Sequence, residues 1–176
     1  VDDFPTDQFT VSFWAKSVGY YHTGGSTQTK YLFHIKGPNN FNLATIYAYR
    51  DDLYVTVMDY SYGYTYNYWQ PSSTSEPTWT HVALTFNTRE SSCATRTMVY
   101  IDGILRSNYC YGNGEALTRS AKILLNARWY SSTYTDSYAN PSYTDYTGMS
   151  MAEFAIFDTA LDPTSIATLA AGQVHK

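Results

Sequence analysis

The chain has 176 residues, of which 15% are charged and 18% aromatic, with 19 tyrosines and a formal net charge of −4. That length allows one domain with a substantial core. The acidic balance lacks the basic stripe that nucleic-acid binding needs, and no apolar run approaches the roughly 20 residues of a membrane helix, so neither nucleic acid nor membrane insertion is expected. Val1 in place of Met fits a processed secretory protein or a module of a longer chain.

Alternating strands dominate the chain. Phe9 to Lys16 alternates, with Phe9, Val11 and Phe13 on one face and Trp14 on the other. Tyr31 to Lys36, Phe41 to Arg50 and Leu53 to Tyr60 follow, punctuated by Gly37-Pro38-Asn39-Asn40 and Asp51-Asp52. In Trp79 to Asn87, Val82, Leu84 and Phe86 share a face. Met98 to Ile101 then run into Asp102-Gly103, a two-residue hairpin turn from which Ile104 and Leu105 return. Ala121 to Trp129 and Met149 to Asp158 supply further strands. Near the end, Asp162 is an N-cap, Pro163 the first helical residue, Ile166, Leu169 and Ala170 an apolar stripe, and Gly172 a stop. Strands this frequent, closed by one short helix, predict an all-β fold, a two-sheet antiparallel sandwich or jelly roll. No linker or repeat divides it, so residues 1–176 read as a single domain.

A two-residue turn at Asp102-Gly103 sets Ile101 opposite Ile104. Continued outward, that register leaves Cys93 and Cys110 about one pleat apart, within bonding range if a small bulge intervenes near Ser91 to Thr95. A Cys93–Cys110 disulfide and an oxidising compartment are therefore predicted, against two free buried thiols.

F-T-V-S-F-W-A-K (Phe9 to Lys16) followed by L-F-H-I-K-G (Leu32 to Gly37) resembles the opening of laminin G-like, pentraxin-related jelly rolls of the concanavalin A-like superfamily. W-T-H-V-A-L-T-F and M-V-Y-I-D-G-I-L are similar to that group's central strands. M-A-E-F-A-I-F-D-T-A-L-D-P-T-S-I-A-T-L resembles its last strand, turn and helix. The ordered set spans nearly the whole chain. It implies an extracellular sandwich used in carbohydrate, glycoprotein or protein recognition, sometimes through calcium. Where pentraxin-like members carry their calcium cluster, this chain reads Asn126-Ala127-Arg128-Trp129, and a guanidinium is a poor neighbour for a cation. These modules also usually begin with a further strand. Only Val1 to Gln8 remains for that role here, and a missing strand would leave an edge that a partner could complete.

Candidates for catalysis are sparse. A glycoside hydrolase needs two carboxylates flanking the bond it cuts, yet Glu76, Glu90, Glu115 and Glu153 are isolated in sequence. His22, His34, His81 and His175 are scattered, and no nucleophile elbow or metal-protease motif occurs. The sequence reads as a non-enzyme without a required cofactor. Asp51 with Asp52, and Asp136 with Asp145, are weak oxygen-ligand candidates for calcium; adjacent aspartates commonly serve turns.

The tyrosines are the anomaly. Tyr60, Tyr62, Tyr64, Tyr66 and Tyr68 occupy alternate positions before Trp69, so an extended backbone sets them on one face. Trp129, Tyr130, Tyr134, Tyr138, Tyr143 and Tyr146 fall in a second segment rich in Ser, Thr and Asp. Tyrosine offers rigid contact area plus a hydroxyl, and its face stacks on sugar rings. Cross-strand tyrosine pairs that merely stabilise a sheet are the competing reading. The binding candidates are Tyr62, Tyr64, Tyr66, Tyr68, Trp129, Tyr130, Tyr134, Tyr138 and Tyr143. The expected role is an extracellular recognition module for carbohydrate or glycoprotein. The alternative is a structural subunit of a filament, matrix or appendage that binds copies of itself through aromatic surface and an open sheet edge.

Overall fold

Trp79 to Asn87 and Gln8 to Lys16 are inner neighbours in one sheet, paired antiparallel along their whole lengths. A computed structural model describes residues 7–16, 30–36, 42–49, 52–58, 64–69, 79–87, 89–91, 93–107, 122–125, 129–130, 142–143 and 150–172. Among them run strands β1 (Gln8–Lys16), β2 (Lys30–Lys36), β3 (Asn42–Tyr49), β4 (Asp52–Met58), β5 (Tyr64–Trp69) and β6 (Trp79–Asn87). A helical turn α1 (Cys93–Arg96) leads to β7 (Thr97–Ile101) and β8 (Ile104–Ser107). Then come β9 (Lys122–Leu125), β10 (Trp129–Tyr130), β11 (Ser142–Tyr143), β12 (Ser150–Phe157) and helix α2 (Pro163–Ala171). The strands form one five-stranded sheet in the order β12-β1-β6-β7-β8, a second in the order β5-β4-β3-β2-β9, and a two-stranded ribbon β10-β11. Every pairing is antiparallel. The fold is an all-β sandwich of the jelly-roll type, as the alternation predicts. Among the described residues, no helix is long and apolar enough to cross a membrane.

The inner strands β1 and β6 of the first sheet are buried on both faces. Phe9, Val11 and Phe13 of β1 stand opposite Phe86, Leu84 and Val82 of β6, which in turn neighbour Val99 and Ile101 of β7. All eight are buried. Phe154 of β12 lies 6.2 Å from Phe13 and 5.7 Å from Phe33 of β2 (ring centroids), so these rings tie the second sheet to the first. A bulge between Ser12 and Trp14 in the β1–β12 pairing accompanies this link, with Glu153 at a positive φ of 52°. The extra residue shifts the register between Phe154 and the exposed Glu153 next to it.

On the opposite face of the first sheet, α2 covers Ala83 and Tyr100 with Ile166, and Met98, Leu161 and Leu169 complete the cluster. Asp162 starts the helix by accepting from the Thr164 and Ser165 amides at 2.8 and 3.0 Å. Hydrogen bonds from Ser165 and Thr164 hold its carboxyl below the usual aspartate range. Thr10 anchors the approach: its hydroxyl donates to the Thr159 carbonyl and accepts from the Leu161 amide. Asp102 and Gly103, with φ of 51° and 77°, form the expected turn, and Ile101 pairs with Ile104.

The strand reading shifts in two places. Cys93–Arg96 is a helical turn rather than the end of a strand. Glu90 holds it, accepting from the Thr95 hydroxyl at 3.1 Å and, through its carbonyl, from Arg96 at 3.1 Å. Strand β7 therefore begins at Thr97, its ladder with β8 reaches only to Val99 opposite Ser107, and the strand register no longer extends to Cys93. Cys110, and with it the Cys93–Cys110 pairing, lies outside the described residues. The strand expected from Ala121 to Trp129 is described as two pieces, β9 and β10.

Candidate binding face

Val, Ile, Thr and Tyr fill β3, β4 and β5 at alternating positions, the composition of a pleated strand. Phe33 is fully buried and marks the face of the second sheet that meets the first. Register propagates that face across the sheet. Phe33 stands opposite Ile46, Ile46 opposite Val55, and Val55 opposite Asn67. The alternate positions fall on the other face: Thr45, Tyr47 and Tyr49 of β3, Asp52, Tyr54, Thr56 and Met58 of β4, and Tyr64, Tyr66 and Tyr68 of β5.

Three ladder tyrosines thus share one register face of β5, the terminal strand in the order of its sheet. Tyr68 is opposite Tyr54, Tyr66 opposite Thr56, and Tyr64 opposite Met58. In the ribbon, Trp129 stands opposite Tyr143 and Tyr130 opposite Ser142, so two residues separated in the sequence become direct neighbours. Tyr62, Tyr134 and Tyr138 lie outside the described residues, as do Asp51, Asp136 and Asp145. Asp52 opens β4 opposite Tyr49. Among the described residues no three His, Cys, Asp or Glu side chains are grouped to hold a metal.

The first sheet contains one arrangement that resembles a nucleophile and its base. Ser12 Oγ and His81 Nε2 lie 2.9 Å apart. Both residues are buried, and His81 Nδ1 has no hydrogen-bond partner. Nucleophilic catalysis needs access for the substrate and a third group orienting the base, and this pair has neither. Burial holds the His81 imidazole below its ordinary value of 6.5, against the opposing pull of Asp102 and Glu153. Trp14 packs at 5.3 Å from the ring. His81 is a neutral member of the packed face at neutral pH.

A protein-family model of the laminin G type, described as the concanavalin A-like lectin/glucanases superfamily, matches residues 1–167. The chain belongs to this superfamily. Solved structures share the sandwich at low identity. The concanavalin A-like chain aligns with the heptameric SAP-like pentraxin from Limulus polyphemus at a TM-score of 0.63 and 16% identity, over 94% of this chain and 70% of the pentraxin. It also aligns with the binding domain of botulinum neurotoxin DC, in structures described as complexes with rat synaptotagmin II and with SialylT. TM-scores there are 0.64 and 0.62, identities 15% and 14%, and the coverage is 95% and 94% of this chain but 36% of each toxin chain. The concanavalin A-like chain thus spans little more than a third of those receptor-binding domains. No curated protein matches the sequence.

Sequence reading overlooked Tyr31, Tyr47, Tyr49 and Tyr54. Tyr47, Ala48 and Tyr49 alternate as plainly as the β5 ladder does, and the pairing of Tyr49 with Asp52 sets Tyr47 opposite Tyr54. The signal was present but divided among strands that only pairing brings together.

Proposed function

We propose that this chain is a non-catalytic extracellular recognition module, one domain over residues 1–176, that binds carbohydrate or glycoprotein through its tyrosine-rich segments. The observation that carries the reading is the common register face of Tyr64, Tyr66 and Tyr68 on β5, opposite the Phe33 side of the sheet. The opposition of Trp129 and Tyr143 in the ribbon supports it. Such rows supply rigid, flat contact area with hydroxyls, suited to sugar rings and to glycoprotein surfaces. The names of similar structures accord with it, since toxin binding domains of this fold were solved with SialylT and with synaptotagmin II. A secreted location and a Cys93–Cys110 disulfide belong to the same reading.

A second reading is a structural subunit. It draws on the placement of the tyrosine ladder on a terminal strand, where aromatic surface and backbone pairing can recruit another copy, and on the heptameric state named for the Limulus pentraxin. Glycan-array binding combined with light scattering at several concentrations separates the two. A concentration-independent monomer that binds glycans supports recognition. Ordered polymers without glycan binding would favour the subunit.

A further inference from the structure

The aromatic face of the second sheet extends beyond the β5 ladder. Tyr68 stands opposite Tyr54, Tyr54 opposite Tyr47, and Tyr47 opposite Tyr31. One tyrosine from each of four successive strands therefore falls in a single row across the sheet. With strands about 4.8 Å apart, the row is about 14 Å long. Beside it run Tyr66, Thr56, Thr45 and His34, again one per strand. Neither row contains a carboxylate, an ammonium or a guanidinium. Asp52, opposite Tyr49, flanks the tyrosine row. The paired Lys36 and Lys122 lie at the far end of β2, five residues beyond Tyr31, or about 16 Å along the strand.

We propose that the row Tyr31–Tyr47–Tyr54–Tyr68 is the platform for a linear, uncharged oligosaccharide laid across the strands, one pyranose per tyrosine. The proposal rests on the recognition reading above and names its ligand class. The repeat argues for a linear chain, because aromatic positions recurring at the strand spacing match the ring-to-ring advance of an extended pyranose polymer. A peptide recruited by backbone pairing would instead run along an edge, parallel to the strands. Charge argues for a neutral sugar. An anionic glycan needs Arg or Lys to offset the desolvation of its carboxylate. Among the described residues, the charge that flanks the row on its own register face is the like-signed Asp52, whereas Lys30, next to Tyr31, stands opposite Ala48 on the alternate face. Both helices pack on the first sheet, α1 against β6 and β7 and α2 against Ala83, Tyr100 and β8.

Titration calorimetry of the full chain tests this with neutral β-1,4-linked glucose, mannose and N-acetylglucosamine oligomers, alongside lactose and sialyllactose. Affinity should rise with chain length to about four units and then level, one unit per strand of the row. Tyr54→Ala and Tyr68→Ala should each weaken binding about tenfold. Tyr68→Phe, which keeps the ring, should remain within about twofold of the parent chain. Sialyllactose should bind no more tightly than lactose. If Tyr54→Ala does not fold, the two Tyr68 variants on the terminal strand carry the comparison. Unchanged binding in Tyr68→Ala, with binding lost in Trp129→Ala or Tyr143→Ala, would move the sugar to the ribbon; the row fails and the recognition reading stands. A clear preference for sialyllactose overturns the neutral ligand in the same way. Absence of binding to every glycan overturns both.

Discussion

Two residues show how single side chains carry the first sheet. Gly103 occupies the turn at a φ of 77°, and a Cβ there would meet Ala167 Cα and Ala170 Cβ at 3.1 Å each. The position is constrained twice, by backbone conformation and by the helix above it. Gly103→Ala should cost about 2 kcal/mol, read as a Tm about 4–8 °C lower. Gly103→Asn separates the causes: asparagine tolerates this backbone, so whatever loss remains reports the helix contact. Next to the turn, the His81 amide donates to Asp102 Oδ1 and the Asp102 amide donates to the His81 carbonyl, both at 2.9 Å. The His81 ring is held neutral by burial. Its unfolded form takes up a proton near pH 6.5 and its folded form only at lower pH, so the unfolded state binds more protons and stability falls as pH drops below about 6.5. The slope approaches at most about 1.4 kcal/mol per pH unit for this group. Denaturant midpoints compared at pH 7.5 and 5.5 should differ less in His81→Gln than in the parent chain; equal differences would remove His81 from that acid sensitivity.

Among the elements, α2 shows what local pattern predicts well. Its N-cap, first-turn proline and apolar stripe follow from residues within one segment, and the helix forms between Pro163 and Ala171. Its job is to close the outer face of the first sheet through Ile166, which is fully buried against Ala83 and Tyr100. Ile166→Ala should cost about 3 kcal/mol in chemical denaturation, while Ala171→Ser, at an exposed position of the last turn, should change stability by less than about 0.5 kcal/mol. Strands were equally legible where composition alternates, as in β1 and β6. Bulges were not, because an extra residue is defined only against a partner strand. Leu32 takes that place between Tyr31 and Phe33 against β3, and Glu153 lies in the corresponding irregularity against β1. Helical residues 93–96 escaped the reading for a similar reason. Side-chain bonds to Glu90, not an apolar period, hold that turn.

At the scale of the whole molecule, two sheets meet through Phe13, Phe154 and Phe33, and the concanavalin A-like superfamily supplies the architecture. The proposed disulfide is tested at this scale. The intact protein should resist thiol alkylation until reduced, and Cys93→Ser should lower stability by about 2–4 kcal/mol. Alkylation of both cysteines in the unreduced folded chain would exclude the bond.

Sequence by itself determined the all-β class, the Asp102-Gly103 turn, the capped C-terminal helix and the tyrosine alternation on β5. Each follows from dihedral preference and a hydrophobic period inside a short window. Tertiary structure decided which strands are neighbours, and so which tyrosines share a row. Tyr31, Tyr47, Tyr54 and Tyr68 are far apart in the chain, and no local period relates them. Pairing across loops fixes their alignment, because a slip of one residue in any strand would send its tyrosine to the opposite face. The fold also set α2 over Gly103, giving a turn glycine a packing role that its dipeptide alone does not reveal.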